Sequence, residues 1–145
     1  MPISTYQLSA DYVIFVDTTK LHTLSAQLQI RAFSILDKVA FDIEGSAKLL
    51  APVDTGALRA SIYVSGASGE TGYSAAIAEA KSQAAQRGKK VKFHDNHPPD
   101  KPLQRIIAVA VNYGIYPEMM GQPYMAPAVE THRTPFTMAW SSLFV

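Results

Sequence analysis

Apolar residues recur along this chain in two rhythms, and the changes between them mark its elements. Residues 11 to 17, "DYVIFVD", are dense in β-branched and aromatic residues and predict a short strand. Asp17, Thr18 and Thr19 follow with side-chain oxygens suited to a helix N-cap. From there Leu21, Leu24, Leu28, Ala32, Ile35, Val39, Ile43, Ala47 and Leu50 recur at three- and four-residue steps, which places them on one helical face. Asp37, Lys38, Asp42 and Lys48 fall off that stripe. The pattern predicts a helix from about 19 to 50, roughly 48 Å long at ~1.5 Å per residue. Pro52 ends it, because the residue before a proline is pushed out of the α region. Gly45 is a place for a bend. A stripe this long exceeds what a small core needs, which suggests packing along a broad sheet or against neighbouring subunits.

The second half is more broken. "LRASIYVS" (58 to 65) predicts a strand from about Ala60, and "GASGETG" (66 to 72) a flexible loop. "YSAAIAEAKSQAAQR" (73 to 87) is built of good helix formers with a thin apolar face, so a marginal, partly exposed helix is expected. "KKVKF" (89 to 93) is a candidate strand, and "HDNHPPDKP" (94 to 102), with three prolines, cannot be regular. "LQRIIAVAV" (103 to 111) predicts a strand. The remainder is turn-rich to about Pro127, then a helix interrupted or kinked at Pro135. The expected fold class is α+β: a long N-terminal helix on a small, mostly antiparallel sheet, with a second helix near the C-terminus. It is read as one domain over 1–145, with an inserted mobile segment at about 66–102.

Composition narrows the chemistry. The chain is long enough for a single core, and 48% of it is hydrophobic, which favours a packed fold over a disordered one. It has no cysteine, so disulfides, thiolate metal sites and cysteine nucleophiles are excluded. No basic region precedes a long apolar run at the N-terminus, and no stretch approaches the ~18 apolar residues of a membrane span, so neither secretion nor membrane insertion is expected. Net charge is +1 but unevenly placed: residues 81 to 105 hold seven Lys/Arg against Asp95 and Asp100, while residues 1 to 80 hold eight acids against five bases.

One short stretch invites an enzymatic reading. "APVDTGALRASI" (51 to 62) contains the Asp-Thr-Gly-Ala that surrounds the catalytic aspartate of retroviral-type aspartic proteases. Such an enzyme needs Asp54 on a loop after an apolar strand and a second strand ending in Gly to brace it. Here Asp54 follows a helix stop, and "RIIAVAV" has Ala at the bracing position. A structural role asks for less. Pro52 stops the helix, Asp54 accepts backbone N–H groups in an Asx-turn or N-cap, Thr55 follows, Gly56 frees the backbone and Leu58 buries. The expected role is a helix-to-strand joint.

The same residues carry a resemblance. "A-P-V-D-T-G-A-L-R-A-S-I" after a long amphipathic helix resembles the signature of the tail-completion or head–tail joining (neck) protein family of tailed double-stranded-DNA phages and prophages. A second block of that family, an aromatic–small pair, a Glu, a Gly and a Pro-aromatic-apolar-x-Pro-Ala run, is matched in order by Tyr113, Gly114, Tyr116, Glu118, Gly121 and "QPYMAPA" (122 to 128). The chain departs from the pattern at Pro117 and in the Ala-rich and basic insert from 73 to 102. The resemblance implies a structural virion protein: a subunit forming a ring, of six copies, that joins the DNA-filled head to the tail. It further implies other neck, connector and tail proteins as partners, and DNA passing without sequence-specific contact. It would be assembled in the host cytoplasm and located in the virion. A tail terminator capping the tail tube is the nearest alternative, and the Asp54 protease the alternative of another class.

The other candidate residues fit that reading. His94, Asp95, His97 and Asp100 are competent metal ligands, but in a Pro-rich loop with no helix to orient them a solvated loop is expected, with no metal and no cofactor. Arg87, Lys89, Lys90 and Lys92 suit a charged sheet edge or a contact with an acidic partner better than nucleic acid, since Phe93 is the one aromatic among them. Tyr113, Tyr116, Glu118, Gln122, Pro123, Tyr124, Met125 and Pro127 are assigned to a subunit or partner interface, with ordinary core the competing reading. The prolines are expected to hold that segment extended, with Tyr124 its best anchor.

Overall fold

A computed structural model describes residues 3–9, 12–17, 19–53, 56–66 and 72–144, with side chains from residue 23 onward. The chain opens with an antiparallel hairpin, β1 (Ile3–Ser9) and β2 (Tyr12–Asp17), whose register shifts between Gln7 and Ser9. Helix α1 then runs unbroken from Thr19 to Leu50, the span that the apolar stripe predicts. Gly45 meets no neighbouring side chain and starts no break. The stripe buries unevenly: Ala32, Ala40, Ile43 and Ala47 are buried, whereas residues 23 to 31 are exposed apart from half-buried Leu28. Residues 23 to 31 of α1 therefore stand clear of the core apart from Leu28.

The described chain resumes at Gly56, and a single helical turn α2 (Ala57–Ala60) leads into β3 (Ile62–Ser65). Helix α3 (Gly72–Gln86) crosses next, and β4 (Ile106–Val109) returns antiparallel to β3, pairing Ile62 with Val109 and Ser65 with Ile106. A short α4 (Ile115–Met119), the long α5 (Met125–Ser141) and a 3₁₀ turn at Ser142–Phe144 complete the chain. The fold class is α+β, as the sequence predicts. Ile43, Ala47, Ala51, Ala57, Leu58, Ile62, Ala80, Ala84, Val111, Tyr124 and Ala128 form the main core, so α1, α2, β3, α3 and α5 all meet there.

Several expectations need correction. The sheet is not broad, because each of the two described sheets has two strands. Residues 57 to 60 are helical because Gly56 adopts a left-handed φ of 80° and its carbonyl accepts from Ala60 N–H, which starts a helical turn before the strand. Residues 89 to 92 form no strand, and only Phe93 bridges to Val111. Helix α3 is partly exposed but not loosely attached: Ala76, Ala80 and Ala84 bury its narrow face, and small side chains let it approach β3 closely. The 113–127 segment is not extended. Pro117 lies inside α4 and Pro127 in the first turns of α5, positions where a missing N–H is tolerated. Helix α5 continues through Pro135.

Two polar ties fix the sheet and α5 on α1. Arg105 Nε meets Asp37 Oδ1 at 2.5 Å, and its guanidinium lies 5.5 Å from the Phe33 ring centroid, anchoring the start of β4. Ser46 Oγ and His132 Nε2 are hydrogen-bonded at 2.7 Å across α1 and α5.

Candidate assembly surface

The first motif is a corner in which nearly every described residue has a packing task. Ala51 extends α1 by one bond, its N–H donating to the Ala47 carbonyl at 2.8 Å. Arg59 reaches back so that Nη2 lies 3.5 Å from the Ala51 carbonyl, close to the negative end of the α1 dipole. Ala57, Leu58, Ser61 and Ile62 are buried, and Ser61 Oγ donates to the Leu58 carbonyl at 2.8 Å, satisfying a hydroxyl that the core would otherwise strand. Asp54 and Thr55 lie outside the described residues. What precedes them is the last turn of a helix, not the strand that an aspartic-protease loop follows.

The second motif is a helix entrance. Glu118, on α4, sits at the N-terminus of α5 and accepts three backbone N–H bonds: Tyr124 N at 2.9 Å and Met125 N at 3.1 Å on Oε2, and Ala126 N at 2.8 Å on Oε1. A helix N-terminus leaves just these donors unpaired, and its dipole favours an anion. Burial pushes the Glu118 carboxyl up, but the three N–H bonds outweigh burial and hold it below its ordinary value. Tyr124 is 1% exposed, and its hydroxyl donates to the Gly114 carbonyl at 2.5 Å. Burial, then the charge of Glu118 and the nearby Tyr113, push this phenol up to about 12. Gly114 is there for room: a Cβ on it would lie 2.6 Å from Val109 Cγ1 and 3.2 Å from the Tyr124 hydroxyl. The structure thus places Tyr124 inside the subunit's own core, gives Glu118 a capping role, and leaves Tyr113, Met125 and Pro127 half-buried.

Although they are distant in sequence, the two motifs meet in space. Tyr124 and Ala128 share the core with Ala51, Ala57 and Leu58. Above that contact Leu50, Pro52, Val53, Gln122 and Pro123 line an open hollow of ≈ 580 Å³. Flanking its lining residues in sequence are exposed apolar side chains: Leu49 (80%) beside Leu50, Tyr116 and Met119 on α4, and Met120 (79%) just after it. The sequence analysis assigns Tyr116, Gln122 and Pro123 to an interface, and the exposed Leu49, Leu50 and Val53 are not among its candidates. The signal was available, because Leu49 falls outside the stripe that faces the core.

The remaining candidates are dispersed. Arg87, Lys89, Lys90 and Lys92 are all exposed on the turn after α3, where Gly88 has a φ of 67° and Lys89 N–H donates to the Ala84 carbonyl. His94 and His97 are exposed, and their backbones are used locally: Tyr73 Oη donates to the His94 carbonyl at 2.5 Å, and His97 N–H donates to Tyr63 Oη at 3.4 Å. Among the described residues no three His, Asp or Glu side chains converge as a metal site would require, and no helix is long and apolar enough to cross a membrane.

No curated protein and no solved structure matches the chain. A family model described as "Bacteriophage HK97-gp10, putative tail-component" matches residues 18–115, from the start of α1 through the turn motif and the β3–β4 sheet to the Tyr113–Gly114 pair. That match spans well over half of the sequence, and the chain belongs to the bacteriophage HK97 gp10-like tail-component family.

Proposed function

We propose that this protein is a structural, non-enzymatic subunit of the virion neck. It forms a ring of six copies that completes the tail and joins it to the DNA-filled head, with DNA passing through the channel without sequence-specific contact. Its partners are further copies of itself and the neighbouring neck, connector and tail proteins, and it assembles in the host cytoplasm. The observation that carries this reading is the exposed apolar rim where the two motifs meet. Leu50 and Val53 line one hollow with Pro52, Gln122 and Pro123, and the exposed Leu49, Met119 and Met120 lie within a few residues of them in sequence, on a chain that belongs to a tail-component family. Large exposed apolar side chains grouped in this way mark interaction surfaces. The basic turn at Arg87–Lys92 is a second contact, suited to an acidic partner surface.

Leu49→Glu tests the rim. Leu49 is too exposed for its loss to affect folding by more than about 0.5 kcal/mol. The substitution should weaken self-association about tenfold or more, equivalent to about 1.4 kcal/mol. Sedimentation of wild type and variant at matched concentrations measures this, and an unchanged association constant would remove the rim from the interface.

We also propose that partners order the exposed parts of the insert, residues 87–92 and 98–102, whereas α3 is already held by its buried alanines. Hydrogen exchange on the free subunit should be fast in those two stretches and slow around Ala80 and Ala84. Equal protection throughout 72–102 would contradict it.

A further inference from the structure

We propose that the N-terminal hairpin β1–β2 of one copy adds to the open edge of β4 in the next copy, lying in the groove between β4 and α4. The proposal deepens the ring reading by naming which segment passes between neighbours and where it lands.

Among the described residues the donor has no partner strand in its own chain: β1 and β2 pair only with each other, and a two-stranded hairpin alone is marginal in water. In sequence β2 reads Tyr-Val-Ile-Phe-Val before Asp17, with no polar break. That is the composition of a strand covered on both faces rather than one facing water.

The acceptor is an unused strand edge beside an apolar groove. Ala110 N–H donates to the Ser61 carbonyl at 3.0 Å, so the main-chain groups of Ala108 and Ala110 point towards β3. Alternation then directs those of Ile107 and Val109 to the opposite edge, where no described strand pairs. Alongside runs a groove of ≈ 330 Å³ with Ile107, Val109, Val111, Ile115 and Met125 among its walls. An open edge supplies hydrogen bonds and the groove takes alternate side chains, which is how an added strand is recognised.

Reach decides between the chain's own hairpin and a neighbour's. Ile107, on the groove wall, packs against Ala40 of α1. Ala40 lies about 32 Å along α1 from Thr19, because the helix is continuous. The longer hairpin strand has seven residues and spans only about 23 Å. A hairpin tied to Thr19 cannot lie along its own groove. It projects on α1, whose residues 23 to 31 are exposed apart from half-buried Leu28, as an arm from one copy to the next, and each copy both donates and accepts. Such a head-to-tail contact generates a ring when the rotation closes.

The absence of cysteine makes the test clean. Full-length chains carrying Val13→Cys and Ile115→Cys are mixed and treated with a short bismaleimide. Ile115 is a groove residue that is 60% exposed, so its replacement is tolerated. The expected result is a cross-linked dimer at least tenfold more abundant than in a control mixture with Thr131→Cys on α5. The doubly substituted chain should give a ladder of multimers. If rings are seen by native mass spectrometry but Val13 shows no preference for Ile115, the hairpin proposal is overturned and the ring stands. If the double variant cross-links only within single chains, the neighbour's role is overturned. A chain that stays monomeric and uncross-linked overturns both.

Discussion

Replacing Tyr124 by alanine should unfold the subunit before it disturbs assembly, lowering stability by about 3–5 kcal/mol, as loss of a large core aromatic does. The ring is buried among residues of the main core cluster, and the hydroxyl satisfies the Gly114 carbonyl. Tyr124→Phe keeps the packing and removes one hydrogen bond from a carbonyl that also caps the first turn of α4, so about 1 kcal/mol is expected. Alkaline pH provides an independent check. The folded phenol titrates near 12, above its ordinary value of 10.0. Its contribution is therefore complete below about pH 10 and is lost as the pH rises through the folded value. Urea unfolding of wild type and Tyr124→Phe across that range measures it. A Tyr124→Ala variant of wild-type stability that no longer self-associates would return this residue to the interface.

Glu118→Ala should cost about 2 kcal/mol or more, the second largest single effect expected. Three backbone donors at the entrance of α5 lose one shared acceptor, and caps supplying a single bond already contribute ~1 kcal/mol. Glu118→Gln keeps one carbonyl oxygen and should fall between. The carboxyl sits below its ordinary 4.5, so its contribution is present above that value and is lost as the pH falls through the lower folded one. Thermal unfolding in mildly acidic buffers should therefore show wild type losing its advantage over Glu118→Gln as pH drops below about 4.5. A constant difference across that range would mean that the carboxylate charge is not what holds the helix entrance.

The long helix was legible to the residue because its stripe is long and uninterrupted, and Pro52 is an unambiguous stop. The α2 turn was not, because Ala-Leu-Arg-Ala suits helix or strand equally and only the left-handed Gly56 decides it. The prolines of the second motif misled for a physical reason. Proline favours extended chain in isolation but also fits early helical positions, and Glu118 supplies the cap that makes Pro127 a helix-start residue. Tyr124 could not be assigned from sequence, since a tyrosine suits a core or an interface, and only the packing of α5 on α1 chooses between them. The rim at Leu49 and Val53 was partly legible as apolar residues off the buried stripe, but its meeting with Gln122 and Pro123 depends on a long-range contact.

The most direct test of the central claim is the mass and shape of the purified wild-type protein, taken by native mass spectrometry and negative-stain imaging of the same sample. The account predicts closed rings of one copy number, with a central opening wide enough for duplex DNA, and the same ring at the head–tail junction of phage particles. A protein that remains a monomer at high concentration, and is absent from purified virions, would contradict it.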